Sequence, residues 1–211
     1  ILNPISRRMM AIKAIVFDMG GVLVRTEDFS VRERLAAAHH LSLQALSAGV
    51  FDSPTSRLAE EGKLTETAHW QTVFERWQIP PQEQAQFIQS FWGGDRLDAV
   101  LVDQIRQWRG RFSLGLLSNA WDGARISVEQ RYHFLDAFDV TMFSAEVGMR
   151  KPSAEIFHYM LHQMKAAPDE TVFVDDFLDN IRGAAAVGIN TVHFRNRDQA
   201  LDDLKAMLLT K

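Results

Sequence analysis

Asp18 stands at the end of the apolar run Ala14 to Phe17 in "KAIVFDMGGVLV", and two glycines, Gly20 and Gly21, follow it. A buried strand that drives into an acid and then breaks at glycines must approach something closely, because glycine permits positive φ and leaves no side chain in the way. Ser118 and Asn119 end a second run, "FSLGLL"; Lys151 lies in "GMRKP"; Asp175 and Asp176 close "TVFVDD". Singly, each has an ordinary use: an acid or an Asp pair caps a helix, Ser-Asn makes a turn, and Lys-Pro sits in a solvated loop. Gathered at one edge, they do chemistry. Converging carboxylates repel and need neutralising, which points to a divalent cation with oxygen ligands, Mg²⁺. A lysine adds fixed positive charge and a hydroxyl adds a donor, a set suited to a phosphoryl group, whose transfer relies on positioning and charge neutralisation.

Periodicity shows the elements that must position these residues. After the first strand, "SVRERLAAAHH", "SLQALSAG" and "TETAHWQTVFERW" read as successive helices. The last has Trp70, Phe74 and Trp77 at helical spacing behind a Thr65 cap. Pro80 and Pro81 open another helix, with Phe87, Ile88, Phe91 and Trp92 on its apolar side. The aromatic stripe is read as core. From Leu97 the pattern alternates: a helix face of Leu97, Leu101, Ile105 and Trp108, the strand "FSLGLL", a helix, the strand "DVTMF", and a helix bearing Ile156, Phe157, Met160, Leu161 and Met164. "TVFVDD", a helix stopped by Gly188, "NTVHF" and a terminal helix complete it. Such alternation predicts an α/β fold, a parallel sheet with right-handed crossovers. The helical block is an insertion at the carboxyl edge, where such sheets bind ligands. The expected division is a core over residues 10–26 and 96–211, a helical cap over 27–95 with short joints near Arg25 to Asp28 and Gly93 to Asp95, and a leader or tag-like extension over 1–9.

Composition bounds the function classes. The 211 residues, 46% apolar and 24% charged, suit a globular protein with a sizeable core. A net charge of −4 without a Lys/Arg block argues against nucleic acid or an anionic membrane as partner. The absence of cysteine excludes disulfides, thiolate zinc sites and cysteine nucleophiles. No apolar stretch approaches the ~18 residues of a membrane span. These features lead to the expectation of a cytoplasmic protein, monomer or homodimer.

With these residues in place, the chain resembles the haloacid dehalogenase superfamily, in its branch with a helical cap after the first strand. The resemblance rests on "VFDMGGVL", "LLSNA", "GMRKP" and "FVDDFLDN" in that order, and covers nearly everything from Met10 onward. "GMRKPSAEIF" followed by "DETVFVDDFLDNIRGAAAVGI" is similar to bacterial α-glucose-1-phosphate phosphatases. The resemblance implies a Rossmann-like core, an Mg²⁺ cofactor and a small-molecule phosphate ester as partner, with sugar phosphates first and nucleotides second. It implies that Asp18 attacks phosphorus and that Ser118 and Lys151 hold the phosphoryl oxygens, with Gly21 and Asn119 lining the substrate. It also implies that Asp18, the Gly20 carbonyl, Asp176 and Asp175 hold the metal, Asp175 directly or through water.

Gly20 departs from the pattern. Many such enzymes carry a second carboxylate there, which protonates the leaving oxygen and later activates water, an effect worth about a hundredfold to ten-thousandfold. A slow or substrate-assisted phosphatase is expected, with cap Glu60 or Glu61, or a water, filling in. The alternatives are a dehalogenase, in which the Asp175–Asp176 pair would have little purpose, and a non-catalytic phospho-ligand binder. Arg57, Lys63, His69 and Trp70 are candidate substrate contacts from the cap. His158 and His162, four apart, are read as a solvated face.

Overall fold

The computed structural model describes residues 11–209; the leader expected over residues 1–9 lies outside them. In chain order the elements are β1 (Ala14–Phe17), β2 (Val24–Thr26), α1 (Phe29–Ala38), α2 (Leu43–Phe51), α3 (Pro54–Glu60), α4 (Glu66–Trp77) and α5 (Pro81–Phe91). There follow β3 (Asp95–Leu97), α6 (Ala99–Gln107), β4 (Ser113–Ser118), α7 (Ala124–Tyr132), β5 (Val140–Phe143) and α8 (Ser144–Val147). The chain continues through α9 (Ala154–Met164), β6 (Thr171–Asp175), α10 (Leu178–Ala186), β7 (Asn190–His193) and α11 (Arg197–Leu209). Five strands form one parallel sheet in the order β5-β4-β1-β6-β7. This is the expected α/β core with an inserted helical cap.

The alternation of side chains along each strand builds the layers. Ile15 and Phe17 of β1 face the cluster that holds Leu101 and Ile105 of α6 and Leu204 of α11. Ala14 and Val16 face Phe157 and Met160 of α9. Helices on both faces bury the sheet, so its strands read as continuous apolar runs. Gly115 of β4 lets α9 approach, since a Cβ there would overlap Met160 Cε.

α1 to α5 form a second body around Leu46, Val50, Trp70, Phe74, Phe87 and Phe91. Thr65 caps α4 as its sequence suggests, its side chain accepting from Ala68 N at 3.2 Å. The aromatic stripe is core, with Trp70 and Phe74 buried and Trp77 half-buried. Two features lie outside the sequence pattern. α3 spans only seven residues, started by Ser53 and Pro54. The joints are an antiparallel ribbon, with Val24, Arg25 and Thr26 opposite Leu97, Arg96 and Asp95, so Asp95 belongs to a strand. Buried Arg32 reaches back to this ribbon, donating to both Asp95 carboxylate oxygens at 3.1 and 3.2 Å and to the Phe91 carbonyl at 2.7 Å. No helix among the described residues is long and apolar enough to cross a membrane.

Candidate active site

The β1 register sets the site. Because β1 lies between β4 and β6, the carboxyl ends of all three strands fall side by side, and Asp18, Ser118 and Asp175 arrive at one edge. Asp18 N donates to Val174 O at 2.8 Å, which continues the ladder through the nucleophile candidate. Lys151 joins from the loop after α8 and is only 1% exposed. Its Nζ lies 2.8 Å from Asp18 Oδ1 and 2.7 Å from Asp175 Oδ2. Oxygens of Asp18, Asp175 and Asp176 all lie within 4.8 Å of one another. The one ammonium pairs with two of the three carboxylates, Asp18 and Asp175.

Each side chain is held by its own partners. Asp18 Oδ1 also accepts from Met19 N at 2.7 Å. Asp175 accepts from Asn180 Nδ2 on both oxygens, at 3.1 and 3.0 Å, and from Phe177 N at 2.7 Å. With Lys151 added, its role is to orient as much as to bind. Asn119 and Lys151 exchange hydrogen bonds: Lys151 N donates to Asn119 Oδ1 at 2.8 Å, and Asn119 Nδ2 donates to Lys151 O at 3.0 Å. Ser118 is buried at the end of β4 beside this pair. His193 Nε2 meets the Asp176 carbonyl at 3.0 Å, while the Asp176 side chain stays open.

Burial and the neighbouring charges act on all three groups. Burial pushes the Asp18 carboxyl up to about 7, opposed by Lys151 and reinforced by Asp175. Partial burial of the Asp176 carboxyl, and then the Asp175 charge, raise it as well, although one side of the residue still meets solvent. Burial acts to lower Lys151, but Asp18 and Asp175 outweigh it and raise the ammonium above its ordinary value.

The two glycines divide the labour. Positive φ belongs to Gly21, at +79°, and not to Gly20. A Cβ on Gly21 would overlap the Asp176 carboxylate, so Gly21 makes room for that acid. A Cβ on Gly20 would meet nothing within 4 Å. Position 20 is therefore open at the first atom of a side chain.

Several expected cap contacts are placed elsewhere. His69 is fully buried and Trp70 nearly so, packed inside the cap with their ring centroids 4.6 and 5.7 Å from that of Trp121, tilted and edge-on respectively, which removes both from any substrate surface. Lys63 and Glu61 pair with each other at 2.6 Å on the outside, and Arg57 is exposed. Glu60 instead turns to the core and pairs with Arg150 at 2.7 Å. His158 and His162 are both exposed on α9. Four residues carry weight the sequence reading did not give them: Arg150, Asn180, Trp121 and Asp122. Arg150 and Asn180 stand inside the quoted motifs, and Asn180 is found by its place five residues after Asp175, at the start of the next helix.

Comparison with known proteins identifies the family. The haloacid dehalogenase-like hydrolase family matches residues 12–188, and the chain belongs to that family of hydrolases. The sesquiterpene phosphatase astK of Aspergillus oryzae is 29% identical over 182 residues, covering 86% of this chain and 89% of its own. The D-ribitol-5-phosphate phosphatase of Bacteroides thetaiotaomicron is 27% identical over 210 residues, covering 93% and 98%. The bifunctional epoxide hydrolase 2 of Sus scrofa is 27% identical, but this chain spans only 39% of it. Among solved structures, a HAD-like family hydrolase from Porphyromonas gingivalis superposes with a TM-score of 0.75 at 21% identity, over 96% of this chain and all of the other. A HAD-family enzyme of Bacteroides thetaiotaomicron, crystallised with magnesium and inorganic phosphate, gives 0.72 at 24% identity over 86% and 93%. These two likenesses establish the fold.

Proposed function

We propose that the chain is a Mg²⁺-dependent phosphatase that hydrolyses a small phosphate monoester, carrying the phosphoryl group transiently on Asp18. The observation that supports this reading is the surplus of charge: three carboxylates within 4.8 Å at the carboxyl edge, matched by one buried lysine. The donor set fits Mg²⁺, since Asp18, Asp176 and the Gly20 carbonyl offer hard oxygens without sulfur or imidazole. Asp175, whose oxygens already serve Lys151, Asn180 and Phe177 N, would act on the cation through water or by its charge. When bound, Mg²⁺ would neutralise the surplus and polarise a phosphoryl oxygen.

The chain's own residues do the rest. A carboxylate oxygen of Asp18 attacks phosphorus in line, and the bond to the leaving oxygen breaks with its electron pair on that oxygen. Water then attacks phosphorus, freeing inorganic phosphate and the Asp18 carboxylate. Ser118 Oγ and Lys151 Nζ hold the phosphoryl oxygens, with Asn119 fixing the Lys151 backbone. With glycine at position 20, solvent supplies the proton to the leaving oxygen, and alkyl esters react slowly.

Sugar and polyol phosphates are the first substrate class, in keeping with the D-ribitol-5-phosphate phosphatase among the relatives. A phosphate ester with an apolar tail is a second reading. It is favoured by Phe177 and Leu178, which directly follow Asp176 and stand 62% and 48% exposed, and by the sesquiterpene phosphatase among the relatives. The deciding experiment measures phosphate release from hexose, polyol, isoprenyl and p-nitrophenyl phosphates, with Mg²⁺ and with EDTA. Release that EDTA abolishes is expected. Phosphate binding without release from any ester would make the protein a binder, and halide release from a 2-haloacid without Mg²⁺ would make it a dehalogenase.

A further inference from the structure

α3 touches both loops that carry the proposed phosphate-holding residues. Ser56 and Glu60 are four residues apart in this short helix and so share one face. Ser56 Oγ accepts from Trp121 Nε1 at 3.3 Å, and Trp121 stands three residues beyond Ser118. Glu60 Oε2 accepts from Arg150 Nε at 2.7 Å, and Arg150 immediately precedes Lys151. The two loops are tied to each other by the Asn119–Lys151 exchange. The contacts close a ring: α3 to Trp121, along the chain to Ser118 and Asn119, across to Lys151 and Arg150, and back to α3.

The ring is shielded and has little freedom to lift. Ser56 and Trp121 are buried, and the Trp121 indole lies among the aromatic side chains of the cap. Next to it, Asp122 Oδ1 accepts from Glu66 N at 2.8 Å, fastening the start of α4 to the same loop. At the other end, Gly62 takes a φ of +65° with its α-carbon against Ala145 O, where a Cβ would overlap. Burial raises the Glu60 carboxyl, as expected for a pair sheltered from water.

We infer that Ser56 and Glu60 make α3 a positioning clamp that fixes the spacing between Ser118 and Lys151, so that the cap sets how tightly the phosphoryl group itself is held. The inference rests on the phosphatase reading above. A hydroxyl and an ammonium grip a tetrahedral anion only when both stand at the right separation, and a small displacement of either is costly. A residue that touches the leaving group changes the ranking of esters. A clamp weakens every ester, and inorganic phosphate, by the same factor.

The test is calorimetric binding of inorganic phosphate to the Mg²⁺-loaded full chain, with kcat and KM for p-nitrophenyl and hexose phosphates. The variants are Glu60→Gln, Trp121→Phe, their double, and Arg150→Lys, each checked for a cooperative melt. Glu60→Gln should weaken inorganic phosphate about threefold to tenfold and raise KM for both esters alike, the size of a lost charge-assisted hydrogen bond passed on in part. Arg150→Lys, which keeps the charge opposite Glu60, should lose less than Glu60→Gln does. Because both contacts act through one ring, the double variant should lose less than the product of the singles. Unchanged phosphate affinity in a folded Glu60→Gln protein, a changed ester ranking, or fully multiplicative losses would each overturn the clamp alone. A wild-type protein that binds no phosphate would overturn the phosphatase reading and the clamp with it.

Discussion

Two buried ionic groups in this protein are built on opposite principles. At the base of the cap, one guanidinium meets one carboxylate: Arg32 binds Asp95 on both oxygens, lies 4.4 Å over the Phe91 ring, and the Thr26 hydroxyl donates to Asp95 at 2.6 Å. Charge and hydrogen bonds are balanced, and nothing further is needed. At the carboxyl edge of the sheet, one ammonium faces three carboxylates, and burial drives the Asp18 carboxyl up to about 7. The first group is complete in the folded chain. The second carries a surplus of negative charge, which on the proposed reading is the physical mark separating an ionic group kept for chemistry from one that joins two bodies.

The contrast can be broken by substitution. The largest effect belongs to Asp18→Asn, which should abolish turnover, a loss of at least ~1,000-fold, because no other group supplies the attacking oxygen. The same change should leave the metal-free fold stronger. Between the ordinary value of 3.8 and about 7, the folded protein binds more protons than the unfolded chain, so stability falls as pH rises through that window. Asp18→Asn removes this fall; its metal-free Tm should exceed wild type at pH 8 and match it near pH 4. A lower Tm at pH 8 would mean that Lys151 already balances the cluster.

Next in size is Lys151→Ala, which leaves three carboxylates with no internal cation. It should lower activity by about a hundredfold or more and depress the metal-free Tm, with Mg²⁺ restoring much of the Tm and little of the rate. Equal Tm with and without the ion would argue against the cluster as the metal's place. At the cap base the response should be opposite in sign to that of Asp18: Asp95→Asn strands a buried guanidinium and should cost about 3 kcal/mol in denaturant unfolding, with Mg²⁺ giving no relief. A neutral result would make that pair dispensable.

The smallest expected effect lies at Gly20. A Cβ there meets nothing and the position has no positive φ, so Gly20→Asp should fold and should narrow the rate gap between aryl and alkyl phosphates by improving alkyl esters most. An unchanged gap in a folded, Mg²⁺-binding variant would mean that another group already delivers the proton.

The site was legible because its residues end strands. An apolar run that stops at Asp18, Ser118 or Asp175 is visible in one dimension, and a parallel sheet brings such ends together. The clamp was not legible, for physical reasons. The α3 segment "PTSRLAE" is under two turns long, too short for periodicity to show, and only Ser53 with Pro54 marks its start. The ribbon strands "VRT" and "DRL" have three residues each, below the length at which alternation reads. His69 and Trp70 looked available because a polar or aromatic side chain on a helix does not announce what covers it, and here the cover is Trp121, 51 residues after Trp70. Which of two adjacent glycines takes positive φ is not written in the pair itself; here it is Gly21, whose missing Cβ leaves room for Asp176 just past β6.

The central place of β1 also orders the birth of the protein. Its register partners are Ser113 to Leu116 and Thr171 to Val174, so a chain leaving the ribosome makes β1 before either partner and completes its pairing only after β6 has emerged. The cap helices meet one another within a single stretch of chain and can assemble early, while "AIVF" waits with both edges unpaired. Asp175 and Asp176 arrive with that last central strand. The repulsion among the three acids is therefore absent from every shorter nascent chain, and synthesis meets it only when the sheet that can withstand it is closing.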